Sequence, residues 1–142
     1  MWLALAFALA SFSWRRPWLP VRVAVTVLLA EMVSGLAKAE IGRDRPPLAN
    51  PDPEPLVHLP ATHSFPSGHA TVAFACATVL ALAVPRLRWP FYALAALIAG
   101  SRVYVGVHYP FDVVAGAILG ILIGLLVRVS GRILRRAATP GS

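Results

Sequence analysis

Apolar runs of bilayer-crossing length restrict this chain more than any other feature. Five runs stand out, at residues 2–12, 19–37, 70–84, 91–107 and 111–129. A transmembrane helix needs about 17–25 mainly apolar residues, and only helices or closed barrels satisfy their backbone groups inside lipid. The second, fourth and fifth runs reach that length, and the third reaches it if His69 and its neighbours open the helix. The first run is too short. It has no basic residues ahead of it, and Arg15 and Arg16 follow it, so it does not read as a signal peptide. It is expected to be the remainder of a span. Composition agrees with a membrane chain, since only 13% of residues are charged and 58% are hydrophobic, against about 25% charged in soluble domains. The expected fold is an all-α, multi-span transmembrane helix bundle of about five helical runs, in a single domain of 142 residues.

Between the second and third runs, residues 46–66 hold seven of the thirteen prolines. Proline does not continue a helix, so this stretch is expected to be an ordered or semi-rigid segment outside the membrane. Orientation follows from the basic residues. If the runs simply alternate, Arg15, Arg16, Arg22, Arg86, Arg88, Arg128, Arg132, Arg135 and Arg136 all fall on one side. Excess Lys and Arg marks the cytoplasmic side, so residues 130–142 read as a basic cytoplasmic tail and the proline-rich loop faces outward. Trp14, Trp18 and Trp89 sit at the inner ends, as an aromatic belt does. On this parity the first run starts outside, and a helix before residue 1 would be needed to return the amino terminus to the cytoplasm. The net charge of +7 is therefore a matter of membrane topology and not of nucleic-acid binding. The protein is expected in the cell membrane as a multi-pass chain.

The reactive side chains fall in three islands: Lys38-x6-Arg45-Pro46, Pro66-Ser67-Gly68-His69 and Ser101-Arg102-x5-His108-x3-Asp112. The same parity places all three at the outer ends of their helices. Arg22 marks the inner end of the second run, and Lys38 lies 16 residues on, roughly 24 Å at the helical rise. Each island also has a plain structural reading. Ser67 is a good helix N-cap, Lys38, Arg43 and Arg45 can snorkel at a membrane edge, and His108 can be an interfacial histidine. Together they supply cations, a hydroxyl, two histidines and a carboxylate, which is an inventory suited to a phosphate. Arginine forks match phosphate oxygens, and the free N–H groups of a helix start bind anions. Gly68 lets backbone approach a ligand. Pro110 suits the first turn of a helix, which puts His108 just before the turn and Asp112 inside it. A carboxylate there can hold one ring nitrogen and leave the other free to attack. No clustered carboxylates suited to Mg²⁺ lie near the islands.

The three islands resemble the signature of the type 2 phosphatidic acid phosphatases, the PAP2 lipid phosphatases, with every position met in order over residues 35–124. The resemblance implies the haloperoxidase-like helical fold and a metal-independent hydrolysis of a lipid phosphate through a phosphohistidine. It implies His108 as nucleophile, Asp112 as its orienting carboxylate, and His69 as the general acid and later base. Lys38, Arg45, Ser67, Gly68, Ser101 and Arg102 would hold the phosphate. Arg43, Pro46 and Pro66 would support the site, with no metal and no other cofactor. Integral members of the family usually have six spans, with the first motif after the third, whereas here one short run precedes the motif-bearing set.

Two other readings stand beside this one. The motifs also resemble vanadium-dependent haloperoxidases, which are mainly soluble. A catalytically silent lipid-binding module would carry a broken motif, and none is broken. Candidate substrates are undecaprenyl diphosphate, phosphatidic acid and phosphatidylglycerol phosphate, since the motifs read the phosphate and not the tail. The compact, Ala- and Arg-rich chain looks bacterial, which favours the prenyl diphosphate. Gly116, Gly120 and Gly124 are expected to let another helix approach closely. Cys76 reads as a packing residue, and Glu31, in mid-span, is expected to face the bundle or pair with a polar neighbour. His58 and His63 read as solvated loop residues, with His63 near enough to reach a headgroup.

Overall fold

The computed structural model describes residues 18–46 and 61–138, with the side chains of 131–138 left aside. Among these residues four α-helices and a short 3-10 turn form, in the order α1 (Trp18–Ile41), α2 (Gly68–Ala83), the turn Pro85–Leu87, α3 (Arg88–Tyr104) and α4 (Pro110–Ala138). No strand occurs among the described residues, as expected for an all-α bundle. The expected count of five helical runs is not reproduced, because run 2–12 and most of the proline-rich loop, including His58, lie outside the described residues.

Two helices, Trp18–Ile41 and Pro110–Ser130, are long and apolar enough to cross a membrane. The other two, α2 with 16 residues and α3 with 17, are about as long as their apolar runs but begin and end earlier in the chain. The fourth run continued to residue 107, but α3 stops at Tyr104 because Gly106 turns the chain with φ +76°. Only glycine adopts that conformation without strain. Conversely, α4 extends beyond its apolar run to Ala138, so the basic tail begins as helix.

The centre of the bundle is α2, with eleven of its sixteen residues buried and each of the other three helices packed on it. Its buried positions are mostly small: Ala70, Ala75, Ala77, Ala81 and Ala83, with Cys76 among them. The large apolar side chains point outward instead, as at Val21, Leu28, Leu97, Leu122 and Leu126. That distribution suits a helix bundle in lipid, where large side chains gain nothing by turning inward and small ones let backbones meet.

The closest meeting is between α2 and α4. A Cβ placed at Gly116 would lie 2.6 Å from the Ser67 carbonyl oxygen, and one at Gly124 would lie 2.7 Å from Thr78 Cβ. At Gly120 the same atom would strike the Thr71 carbonyl. The glycine repeat is therefore a packing groove, as its four-residue spacing suggested. It seats the start of α4 against the start of α2, where two of the three islands lie.

Candidate active site

All three islands gather at one end of the bundle. Lys38 is in the last turn of α1, Ser67 caps α2, Ser101 and Arg102 end α3, and Asp112 lies in the first turn of α4. Each location has a local cause. Helix α1 ends at Gly42, whose φ of +63° turns the chain back while its N–H donates to the Lys38 carbonyl at 3.0 Å. The chain then carries Arg43 and Arg45 across the mouth of the bundle. Ser67 caps α2 as its residue type suggested, its Oγ accepting from the Ala70 N–H at 3.5 Å. The Ser67 N–H donates to the Asp112 carbonyl at 3.0 Å, which ties the second island to the third through backbone. Stacked rings of Phe65 and Phe111, 5.7 Å apart, reinforce the same joint. Pro66 is buried after a cis peptide bond, and Pro46 is half-buried.

His108 and Asp112 are both buried. The His108 Nδ1 faces Asp112 Oδ2 at 3.5 Å without forming a hydrogen bond, and Nδ1 has no other partner among the described residues. An approach of about half an ångström would bring the pair to bonding distance. On the far side of the ring, Nε2 lies 3.4 Å from Arg45 Nη1. A guanidinium has only N–H groups to offer, so Nε2 presents its lone pair and the proton belongs on Nδ1, toward the carboxylate. Burial pushes the His108 pKa down to about 4, with the Arg45 and Lys38 charges adding to the effect and Asp112 opposing it. The ring is therefore neutral near pH 7, with its Nε2 lone pair turned toward a cation.

Arg45 is the most heavily bonded side chain here. Its Nε donates to the Thr62 carbonyl at 2.8 Å, its Nη1 to the Val107 carbonyl at 2.9 Å and its Nη2 to Thr62 Oγ1 at 3.1 Å. Lys38 Nζ donates to the His63 carbonyl at 2.8 Å. The segment Thr62–His63 is thus drawn over the site by both cations. His63 itself is exposed at the rim, with Cε1 4.0 Å from the position a Gly42 Cβ would take.

His69 is exposed at the start of α2, within electrostatic reach of Arg102, Glu31, Lys38 and Arg45. Arg102 is half-buried, and its Nε donates to Ser101 Oγ at 3.2 Å, which in turn donates to the Ile98 carbonyl at 2.8 Å. Gly68 sits close to α1, where a Cβ would lie 3.6 Å from Ser34 Oγ and 3.9 Å from Lys38 Cε. Of the two expectations for Glu31, facing the bundle or pairing with a polar neighbour, the first is not met and the second fits its surroundings. It is exposed on α1, on the stripe that carries Lys38 seven residues later, where a carboxylate can act on both Lys38 and His69.

Sequence reasoning missed the carbonyls of Thr62, His63 and Val107 and the Tyr109 N–H, which donates to Asp112 Oδ2 at 3.0 Å. Backbone groups leave no mark in residue type, so no sequence signal could have found them. Among the described residues, no three His, Cys, Asp or Glu side chains stand together as metal ligands would.

Fold and site define a class: a helical membrane bundle whose polar end gathers cations, a buried histidine and a carboxylate. The chain belongs to the PAP2 superfamily, whose family model matches residues 19–135. It is 36% identical over 116 residues to a lipid A 1-phosphatase of Rhizobium johnstonii, a match covering 79% of this chain and 48% of that protein. It is 37% identical over 142 residues to a decaprenylphosphoryl-5-phosphoribose phosphatase of Mycobacterium tuberculosis, covering 96% of this chain and 75% of the relative. The fold matches the crystal structure of a transmembrane PAP2 type phosphatidylglycerolphosphate phosphatase from Bacillus subtilis, with a TM-score of 0.67 and 30% identity, over 92% of this chain and 68% of that one. With its two apolar helices of spanning length, the chain is a membrane protein. It spans about half the length of the Rhizobium relative.

Proposed function

We propose that this protein hydrolyses a phosphate monoester or diphosphate on a membrane lipid, without a metal, through a phosphohistidine on His108. The observation that carries the reading is the buried His108 ring, flanked by Asp112 on its Nδ1 side and by the Arg45 guanidinium on its Nε2 side. A neutral imidazole beside cations is a nucleophile standing where a phosphoryl oxygen would be held.

In the first half-reaction, Nε2 forms a bond to phosphorus as the bond from phosphorus to the lipid oxygen breaks. His69 gives its proton to that leaving oxygen. In the second, His69 takes a proton from water, the water oxygen bonds to phosphorus, the N–P bond breaks and inorganic phosphate leaves. Asp112 steadies the ring while it carries positive charge. Lys38, Arg45 and Arg102, with Ser67, Gly68 and Ser101, neutralise and position the phosphoryl oxygens, which is the larger share of catalysis in phosphoryl transfer. Lys38 and Arg45 bond to carbonyls of the rim segment and would exchange part of those bonds for phosphate oxygens.

The site would open to the extracytoplasmic face, with the carboxyl-terminal end of α4 in the cytoplasm. The relatives' names cover lipid A, a decaprenyl phosphoryl sugar and phosphatidylglycerol phosphate, three unlike tails with a phosphate in common. Undecaprenyl diphosphate and phosphatidic acid fit the same chemistry. The test is phosphate release by the purified protein from a panel of these lipids in excess EDTA. The expected result is release from at least one lipid, abolished by His108→Ala and inhibited by vanadate. Activity lost in EDTA and restored by Mg²⁺ overturns the reading, and so does halide oxidation by the vanadate-treated protein without phosphate release from any lipid.

A further inference from the structure

Arg43 occupies an unspecified position of the first island, yet it makes one of the shortest side-chain contacts in the site. Its Nη1 stands 2.8 Å from Asp112 Oδ1. The carboxylate's other oxygen, Oδ2, accepts the Tyr109 N–H at 3.0 Å and faces His108 Nδ1 at 3.5 Å. The Arg43 guanidinium also lies over the Tyr109 ring, with Cζ 4.3 Å from its centroid, and the Arg43 carbonyl accepts the Ser64 N–H at 2.8 Å. Three fixings hold this arginine, and its charge ends on the one carboxylate behind the nucleophile.

The chemistry makes such a partner useful. The Asp112 side chain is fully buried, and a buried carboxylate needs a counter-charge. If His108 were that counter-charge, the ring would be protonated and could not attack. Arg43 supplies the counter-charge from the opposite oxygen and stays half-exposed, at 38% of its side chain. The carboxylate is paired and fixed, and the ring remains neutral.

We propose that Arg43 is a positioning residue that anchors Asp112 and shares its charge, so that the carboxylate aims His108 without protonating it. The proposal rests on the reading of His108 as nucleophile. The other groups acting on His108 are Lys38 and Arg45, from α1 and the segment after it, and Asp112 from α4. His69 at the start of α2, Arg102 at the end of α3, Glu31 on α1, Asp44 and His63 at the rim and Tyr109 beneath Arg43 are the further charged or titratable groups described at this end of the bundle.

The experiment measures kcat/KM against pH for the full chain and for Arg43→Gln, Arg43→Lys, Asp112→Asn and the Arg43→Gln/Asp112→Asn double variant. Removing the guanidinium leaves the whole Asp112 charge acting on the ring. The acid limb of the Arg43→Gln profile therefore moves up by roughly half a pH unit or more, with kcat falling more than KM rises. Arg43→Lys restores most of the shift. In the Asp112→Asn background, Arg43→Gln moves the limb no further, because its effect passes through the carboxylate. Arg43→Gln activity that falls with an unmoved acid limb overturns the proposal, as does a rise in KM alone, which marks a direct phosphate contact. An equal shift in the Asp112→Asn background overturns it as well. Activity that survives His108→Ala is a different failure, because it removes the nucleophile reading on which the proposal stands.

Discussion

Replacing glycine by alanine at four helical positions should give effects of opposite sign, and the geometry says which. At Gly116 an added Cβ would lie 2.6 Å from the Ser67 carbonyl oxygen, 3.1 Å from Ala70 Cβ and 3.2 Å from Thr71 Oγ1. An ordinary carbon–oxygen contact is about 3.3 Å, so α4 must retreat from α2 by roughly 0.7 Å at this point. The atom it meets is backbone and cannot swing aside. Gly116 is one turn along α4 from Asp112, whose carbonyl holds the Ser67 N–H. The retreat therefore separates the two halves of the site as well as loosening the core. Overpacking of this kind costs about 1–3 kcal/mol, and misplacement of reacting groups by nearly an ångström costs up to about 100-fold in rate. Gly120→Ala meets backbone as well and should lose at least as much stability. At Gly35 and Gly100, by contrast, nothing described lies within 4 Å of the added atom. There alanine should leave stability unchanged or raise it by up to about 1 kcal/mol through helix propensity. The assay is thermal unfolding in detergent, followed by loss of helix signal, together with kcat on a lipid phosphate at saturation. Equal melting temperatures for Gly116→Ala and Gly35→Ala, with equal rates, would refute the helix approach on which the site's assembly rests.

Two further predictions concern charge and orientation. The lowered pKa of His108, about 4, means that protonation removes the nucleophile only as pH falls toward 4, so the acid limb assigned to this ring lies well below the ordinary histidine value of about 6.5. The sign for stability is the same. Between about 4 and 6.5 the unfolded chain binds the proton and the folded chain does not, so this group's contribution is present above pH 6.5 and is lost as pH falls to 4. A limb at 6.5 that follows His108 would contradict the buried, cation-flanked ring. For topology, Ala61→Cys and Arg135→Cys are each placed in a Cys76→Ser background. An impermeant thiol reagent on intact cells should label position 61 and spare position 135, and the reverse pattern would refute an outward-facing site.

Much of this arrangement was legible in the residues, and the limits have physical causes. Run position marked where α1 and α4 begin, because a spanning helix opens with its apolar stretch, but it did not show α4 continuing into the basic residues to Ala138. It overran the end of α3, because Val105 and Val107 are as apolar as the helix while Gly106 turns the chain between them. The convergence of the islands was readable from parity alone. So was the four-residue glycine groove, since only close packing requires that spacing. The roles of individual cations were less visible. Arg45 makes most of its bonds to carbonyls, which have no signature in residue type. Arg43 read only as a supporting residue, because nothing in a linear pattern reports that residue 43 meets residue 112. For Glu31 the mid-span position left open whether it faces the bundle or pairs with a polar neighbour, because hydropathy does not say which way a helix is rotated.

The central claim is that His108 carries the phosphoryl group, and chemical trapping of that intermediate tests it most directly. Wild type, His108→Ala and His69→Ala are mixed with a radiolabelled phosphate substrate, quenched rapidly in base, and the labelled peptide is mapped. Loss of His69 slows the water step that needs its base function, so a substrate with a good leaving group should make His69→Ala accumulate the intermediate. The account predicts an acid-labile label on the peptide containing His108, strongest in His69→Ala and absent from His108→Ala. A label on Ser67 or on His69, with His108→Ala still turning over, would contradict it.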